Sequence, residues 1–308
     1  MSALSPVIQP TPAVPRVDLP GATSRQSGSG RRLRRLSRLA GRNVLGTLGA
    51  ILVVALVLIA VLAGWLSPYD PNGQIGTRLT EPGAPFLLGL DQYGRDVLSR
   101  LVHGARTSLI ISASSVGIAL LVGGTVGLLA GYYRGWIDTI TMRVMDVLFT
   151  LPSIILAIAL AGLLGASLKN VILAVAIVTA PGLARISRAP TLVAREAEFV
   201  LSARASGAGD ARIMVRHVLP NVLAPIIVQA TVSVANAIII EASLGFLGLG
   251  VPPPEVSWGN MLGTGRQFIE LANGLTIFPG LAIMVTVLGF NFAGDGLRDV
   301  LDPRLRTR

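Results

Sequence analysis

The side chains able to do chemistry in this chain are few, and their densest group suits docking better than catalysis. Between Glu196 and Pro220 a polar, basic, glycine-punctuated insert separates two strongly apolar runs. Ala203, Ala205 and Gly207 would let another surface approach the backbone closely, while Arg204, Arg212 and Arg216 supply cationic contacts around them. The insert divides into a short helix over Arg195 to Ser206, a bend at Gly207 to Gly209, and a second helix over Ala211 to Val218 for which Asp210 is a good cap. With no cysteine, disulfides, thiol catalysis and thiolate metal sites are excluded. His103 and His217 are the only histidines and form no pair at helical spacing, so no metal site is expected. The only lysine, Lys169, lies outside any GxxxxGK[ST] pattern, which rules out a phosphate-binding loop.

These groups sit in a chain whose solvent is a bilayer. Of 308 residues 52% are apolar and 14% charged, and the mean hydropathy is +0.67. A helix needs roughly 20 apolar residues to cross the hydrocarbon core. Five runs free of Asp, Glu, Lys and Arg are long enough: Asn43 to Tyr69, Thr107 to Tyr133, Val147 to Leu168, His217 to Ile240 and Leu271 to Gly294. A sixth, Asn170 to Ala184, crosses if Lys169 snorkels at one end and Arg185 sits near the other interface. The expected fold class is therefore an all-α integral membrane protein with six transmembrane helices. With the N terminus inside, 20 of the 26 Lys and Arg fall on the inner side, so the positive-inside rule puts both termini in the cytoplasm of a bacterial-type cell membrane. Topology then explains most of the +10 charge, and no nucleic-acid partner is expected, because the arginines are scattered among membrane loops.

Residues 1–42 have the composition of a disordered tail ending in an Arg-rich stretch that orients the first span and touches anionic membrane lipid. The first helix is expected over 43–66. An extracytoplasmic loop over 67–106 is rich in turn formers and closes in an amphipathic helix carrying Val97, Leu98, Leu101 and Val102. Further helices are expected at about 107–131, 145–167, 169–187, 218–241 and 274–295, with the docking loop at 195–220 and a cytoplasmic tail at 297–308. After the fifth span, ASLGFLGLGVPPPEVSWG is too short to cross again and reads as a half-inserted element shielded by protein.

Acidic residues avoid the middle of the spans. Asp146, Glu241 and Asp295 all lie near span ends, which argues against coupling to an ion gradient. An ion-coupled secondary transporter would work without an ATPase, and a membrane scaffold would move no substrate; neither gives the insert a purpose. A transporter that borrows a cytoplasmic motor does.

Within the insert, Leu201, Ser202 and Ala203, then Gly207, then His217, Leu219 and Pro220 stand at the positions of the signature EAA, three residues, Gly, nine residues, Ile, one residue, Leu-Pro. LGLDQYGRDVLSRLVHGARTSL, EASLGFLGLGVPPPEVSWGNML and FNFAGDGLRDVLDPR supply three further blocks. On these residues the chain resembles, from about residue 44 onward, the permease subunits of binding-protein-dependent ABC importers, specifically the C-type permeases of the dipeptide, oligopeptide and nickel systems. It departs from the signature at Leu201 and His217.

The resemblance implies a type I importer permease domain over 107–296, non-catalytic and without a cofactor of its own. It implies a second homologous permease subunit, two cytoplasmic ABC ATPase subunits that bind ATP and Mg, and an extracytoplasmic solute-binding protein. The implied cargo is a dipeptide or oligopeptide, with nickel, glutathione or another small ligand served by nearly the same blocks. Leu201, Ser202, Ala203, Arg204, Ala205, Gly207, Asp210, Leu219 and Pro220 would couple to the ATPase. Asn236 and Glu241 could face the translocation path, with an interhelical hydrogen bond for Asn236 and helix-end solvation for Glu241 as their structural alternatives. Asp91, Arg95 and Asp96 would meet the binding protein.

Overall fold

A computed structural model describes residues 43–301. The expected N-terminal tail and residues 302–308 lie outside the described residues. Asn43 opens α1 (Val44–Val61) by accepting the Gly46 N–H at 2.8 Å, and a short helical turn, Ala63–Leu66, follows. Asp96 caps α2 (Val97–Tyr133), which runs unbroken through a π-helical turn at Leu120–Gly124. The amphipathic helix and the second span expected as separate elements are thus one helix. Next come α3 (Gly135–Thr150), α4 (Ser153–Leu164), α5 (Leu168–Ala194) capped by Ser167, and the short α6 (Glu198–Ala205). The long α7 (Asp210–Phe246), the short α8 (Trp258–Gly265) capped by Ser257, and α9 (Gly274–Leu301) complete the chain. Among the described residues there is no β-strand, only an isolated bridge between Leu90 and Asp96.

Helices α1, α2, α5, α7 and α9 are each long and apolar enough to cross a membrane. The third expected span is not a straight helix over 145–167. Instead α3 and α4 meet at 93°, and the pair is long and apolar enough for a sixth span only when its two bent halves are taken together. The cause is local: a residue before proline is pushed out of the α region, and Leu151 sits at ψ 137° ahead of Pro152. The fourth span is longer than its 15 uncharged residues suggested, because α5 carries Arg185 and Arg188 within its helix.

Small residues let the helices approach closely, as expected where lipid removes the hydrophobic drive for helix association. Gly123, Gly127 and Gly131 form one ridge of α2 against the backbone of Ala180, Ala184 and Arg188 on α5, leaving no room for a Cβ. Ser187 Oγ donates across the same seam to Gly124 O at 2.8 Å. Gly46 and Gly49 of α1 meet Gly296 and Ala293 of α9 in the same manner. Residues of the loops 67–96 and 247–273 meet around one cavity, the loop end, whereas α6 packs where α2 closes and α7 opens, the α6 end.

Candidate functional site

At the α6 end, Tyr132 near the close of α2 joins three segments. Its hydroxyl donates to Asp210 Oδ1 at 2.6 Å and accepts from Arg204 at 3.1 Å, while its carbonyl accepts from Arg195 at 2.6 Å. Arg204 also lies 3.7 Å from Asp210. On the exposed Arg204 the bond to Tyr132 pushes the guanidinium pKa upward, which keeps it a cation. Beneath this polar lock, Val200, Ile213, Met214 and Val218 bury against Tyr132 and Ala194. Helix α6 is thereby fixed to α2, α5 and α7 together.

A second tier lies one helix away. Arg188 on α5 makes a bidentate pair with Asp138 on α3 at 2.6 Å, and Arg185 reaches Asp146 at 2.7 Å while lying 4.1 Å over the Phe149 ring. Helix α3 is thereby tied to α5. By residue type and position Asp138 and Asp146 suit either capping or salt bridges, and they serve the second role.

One expectation for the insert changes. Asp210 is not the cap of the second helix: Gly209 occupies that position, and Asp210 is the first helical residue with its carboxylate turned to Tyr132. Arg204 stays exposed as expected while also donating to the same hydroxyl. Gly207 does form the bend, at φ +81°, a left-handed conformation that L side chains adopt at a cost; open space surrounds its Cβ position. The first helix starts at Glu198, because α5 extends to Ala194.

What remains facing outward is a compact surface. Leu201, Ser202 and Ala205 are exposed on α6, with Ala203 half-buried at its edge, and Arg212 and Arg216 flank it. Phe199 at 41% and Val215 at 65% exposure add apolar area that the sequence reading missed. Both lie next to the insert's charged residues, and only a helical projection of the insert would have aligned them. Leu219 packs inward and Pro220 stays exposed, both inside the continuous helix α7.

At the loop end the candidate residues are structural in part. Asp96 is buried, accepting from Ser99 N at 2.7 Å and Ser99 Oγ at 2.6 Å. Asp91 is buried and takes Tyr93 N, Arg95 N and Arg95 Nε at 2.8, 3.0 and 2.7 Å. Neither carboxylate is available to a partner's surface. Arg95 keeps its outer edge accessible over the Tyr93 ring. On α7, Asn236 is exposed whereas Glu241 is fully buried, so the two do not share one lining. Glu241 is not solvated at a helix end either. It sits near the Ser108 and Ser257 hydroxyls, and neither carboxylate oxygen makes a hydrogen bond of normal geometry.

This architecture has relatives. Residues 123–307 match the family described as "Binding-protein-dependent transport system inner membrane component", and residues 33–82 match the "N-terminal TM domain of oligopeptide transport permease C". The chain belongs to the binding-protein-dependent transport permeases and is a multi-pass inner-membrane protein.

Among its relatives, the dipeptide transport system permease protein DppC of Alkalihalophilus pseudofirmus is 46% identical over 268 residues, covering 86% of this chain and 88% of that one. The di/tripeptide permease DppC of Pseudomonas aeruginosa is 46% identical, over 85% and 89% of the two chains. A glutathione permease, GsiD of Pectobacterium atrosepticum, is also 46% identical, over 83% and 86%. In fold, the chain resembles the inward-facing MetNI methionine ABC transporter at TM-score 0.55 and 20% identity, covering 66% of this chain and 96% of that one.

Proposed function

We propose that this chain is one of two permease subunits of an ATP-driven importer of short peptides, and that α6 is where cytoplasmic ATPases transmit force. ATP and Mg then belong to the ATPase subunits, a second homologous permease completes the path, and an extracytoplasmic solute-binding protein delivers cargo at the loop end. The reading keeps the proposed segments 43–66, 67–106, 107–296 and 297–308, with α2 beginning at Val97 inside the second of them.

The observation that carries it is the lock at Tyr132. An exposed α6 offering Leu201, Ser202 and Ala205 is tied by one hydroxyl and two charged side chains to α2 and α7, so displacement of α6 must move those helices. Peptide cargo rests on the two peptide-permease relatives. Glutathione, itself a tripeptide with a γ-linked first residue, is the second reading, favoured by the GsiD relative at equal identity.

The test is co-purification of the full chain with the products of neighbouring genes, followed by ATP hydrolysis with binding protein loaded with dialanine or with glutathione. Stimulation by dialanine supports the reading. Stimulation by glutathione alone moves the cargo, and failure of the folded chain to hold any ATPase ends it.

A further inference from the structure

At the loop end a partly open cavity of about 680 Å³ lies between the 67–96 loop, the loop after α7, and α8. That volume is within the range of small-molecule sites. Its wall mixes apolar surface with a group of polar side chains: Arg95, Arg100, Arg266, Glu255, Asn260 and Thr264 all line it.

The charges do not balance. Arg95 Nε and Arg100 Nε approach the same oxygen of Asp91, at 2.7 and 3.4 Å, so two guanidiniums share one carboxylate. Arg100 spends a further donor on Pro71 O at 3.0 Å. Arg266 is exposed, lies 5.0 Å over the Phe246 ring, and has no ion pair among the described residues. Glu255 is exposed and equally without an ion pair among them. Three cations thus meet one counter-ion behind the wall and one on it, which leaves the cavity short of one negative charge. Side chains of Arg95 and Arg100 are only 18% and 10% exposed, so the positive potential is recessed and little screened.

A recessed cationic surface sharing a cavity with a lone carboxylate is complementary to a zwitterion. We propose that this cavity receives the peptide cargo, its C-terminal carboxylate held by Arg266 and Arg95 and its N-terminal ammonium by Glu255. The proposal rests on the peptide-importer reading above and adds the permease's own recognition of free peptide termini. A partner protein's acidic side chain is the competing occupant. Arg95 is recessed and only Arg266 and Glu255 are exposed, which favours the smaller ligand, and the paired need for a carboxylate and an ammonium favours a zwitterion.

The experiment uses the assembled transporter with its binding protein, arrested with ATP and vanadate, and counts radiolabelled dialanine retained per complex. Arg266→Gln and Glu255→Gln are the variants. Both sites are exposed, and basal ATP hydrolysis of each complex checks that it is folded. The expected result is that each variant retains about tenfold less dialanine while holding as much binding protein as the wild type. Loss of the binding protein itself from the Arg266→Gln complex overturns the proposal and makes the cavity a protein-docking surface. Undiminished dialanine in both variants also overturns it. A wild-type complex that traps no dialanine and is not stimulated by it removes the peptide reading on which the proposal stands, an outcome separate from failure of the variants alone.

Discussion

The Tyr132 hydroxyl is one atom on which the coupling of three segments depends. In Tyr132→Phe the ring stays buried and Asp210 and Arg204 are left to pair across 3.7 Å, so the fold survives with a loss of about 1 kcal/mol. The expected functional result is ATP hydrolysis near the wild-type rate with fewer peptides moved per ATP, read by simultaneous assays on proteoliposomes. An unchanged ratio would remove Tyr132 from force transmission. The lock is not readable from the sequence, because Tyr132 and Asp210 are 78 residues apart and neither carries a motif. Asp210 reads as a cap for the same reason: Asp after Gly at a helix start suits a cap, but a tertiary partner claims its carboxylate. Gly207 is legible, since a bend between two helical segments calls for a residue tolerant of positive φ.

Among elements, the α2 ridge of Gly123, Gly127 and Gly131 controls whether α2 and α5 can pack. Gly127→Leu should destabilise the detergent-solubilised chain by about 2 kcal/mol or more, because the Ala184 backbone fills the space. Gly117→Leu, on the same helix but facing open space, should leave the melting temperature within about one degree. Equal effects at the two sites would contradict the packing described. Glu241 gives the opposite sign. A fully buried carboxyl with no ion pair and only two marginal hydroxyl contacts is costly, so Glu241→Leu should be no less stable than the wild type by thermal unfolding. The spans themselves are legible as charge-free runs, whereas the caps at Asn43, Ser167 and Ser257 come from the structure. The 93° break at Leu151 is not, because one Pro inside an apolar run is compatible with either a kink or a stop.

For the whole molecule, with α6 placed apart from the long loops around the cavity, sidedness is a single binary quantity. The absence of cysteine from the sequence gives a clean background for labelling. Asn72→Cys should react with an impermeant maleimide from outside intact cells, and Ser206→Cys only after permeabilisation. The reverse pattern would invert the topology drawn from the arginine distribution. The two-ended plan is readable from sequence because loop charge follows membrane orientation. The loop-end cavity is not, since its lining is drawn both from the stretch before α2 and from the loop after α7, far apart along the chain.

The central claim is that force enters through α6. Its most direct test compares wild type and Gly207→Trp in the complete transporter, measuring ATP hydrolysis stimulated by peptide-loaded binding protein together with peptide uptake. Gly207 is exposed at φ +81°, so a bulky side chain there strains the bend and obstructs the docking face without entering the core. The account predicts an intact chain in which stimulation and uptake both collapse. Wild-type stimulation and uptake in a well-expressed Gly207→Trp complex would contradict it.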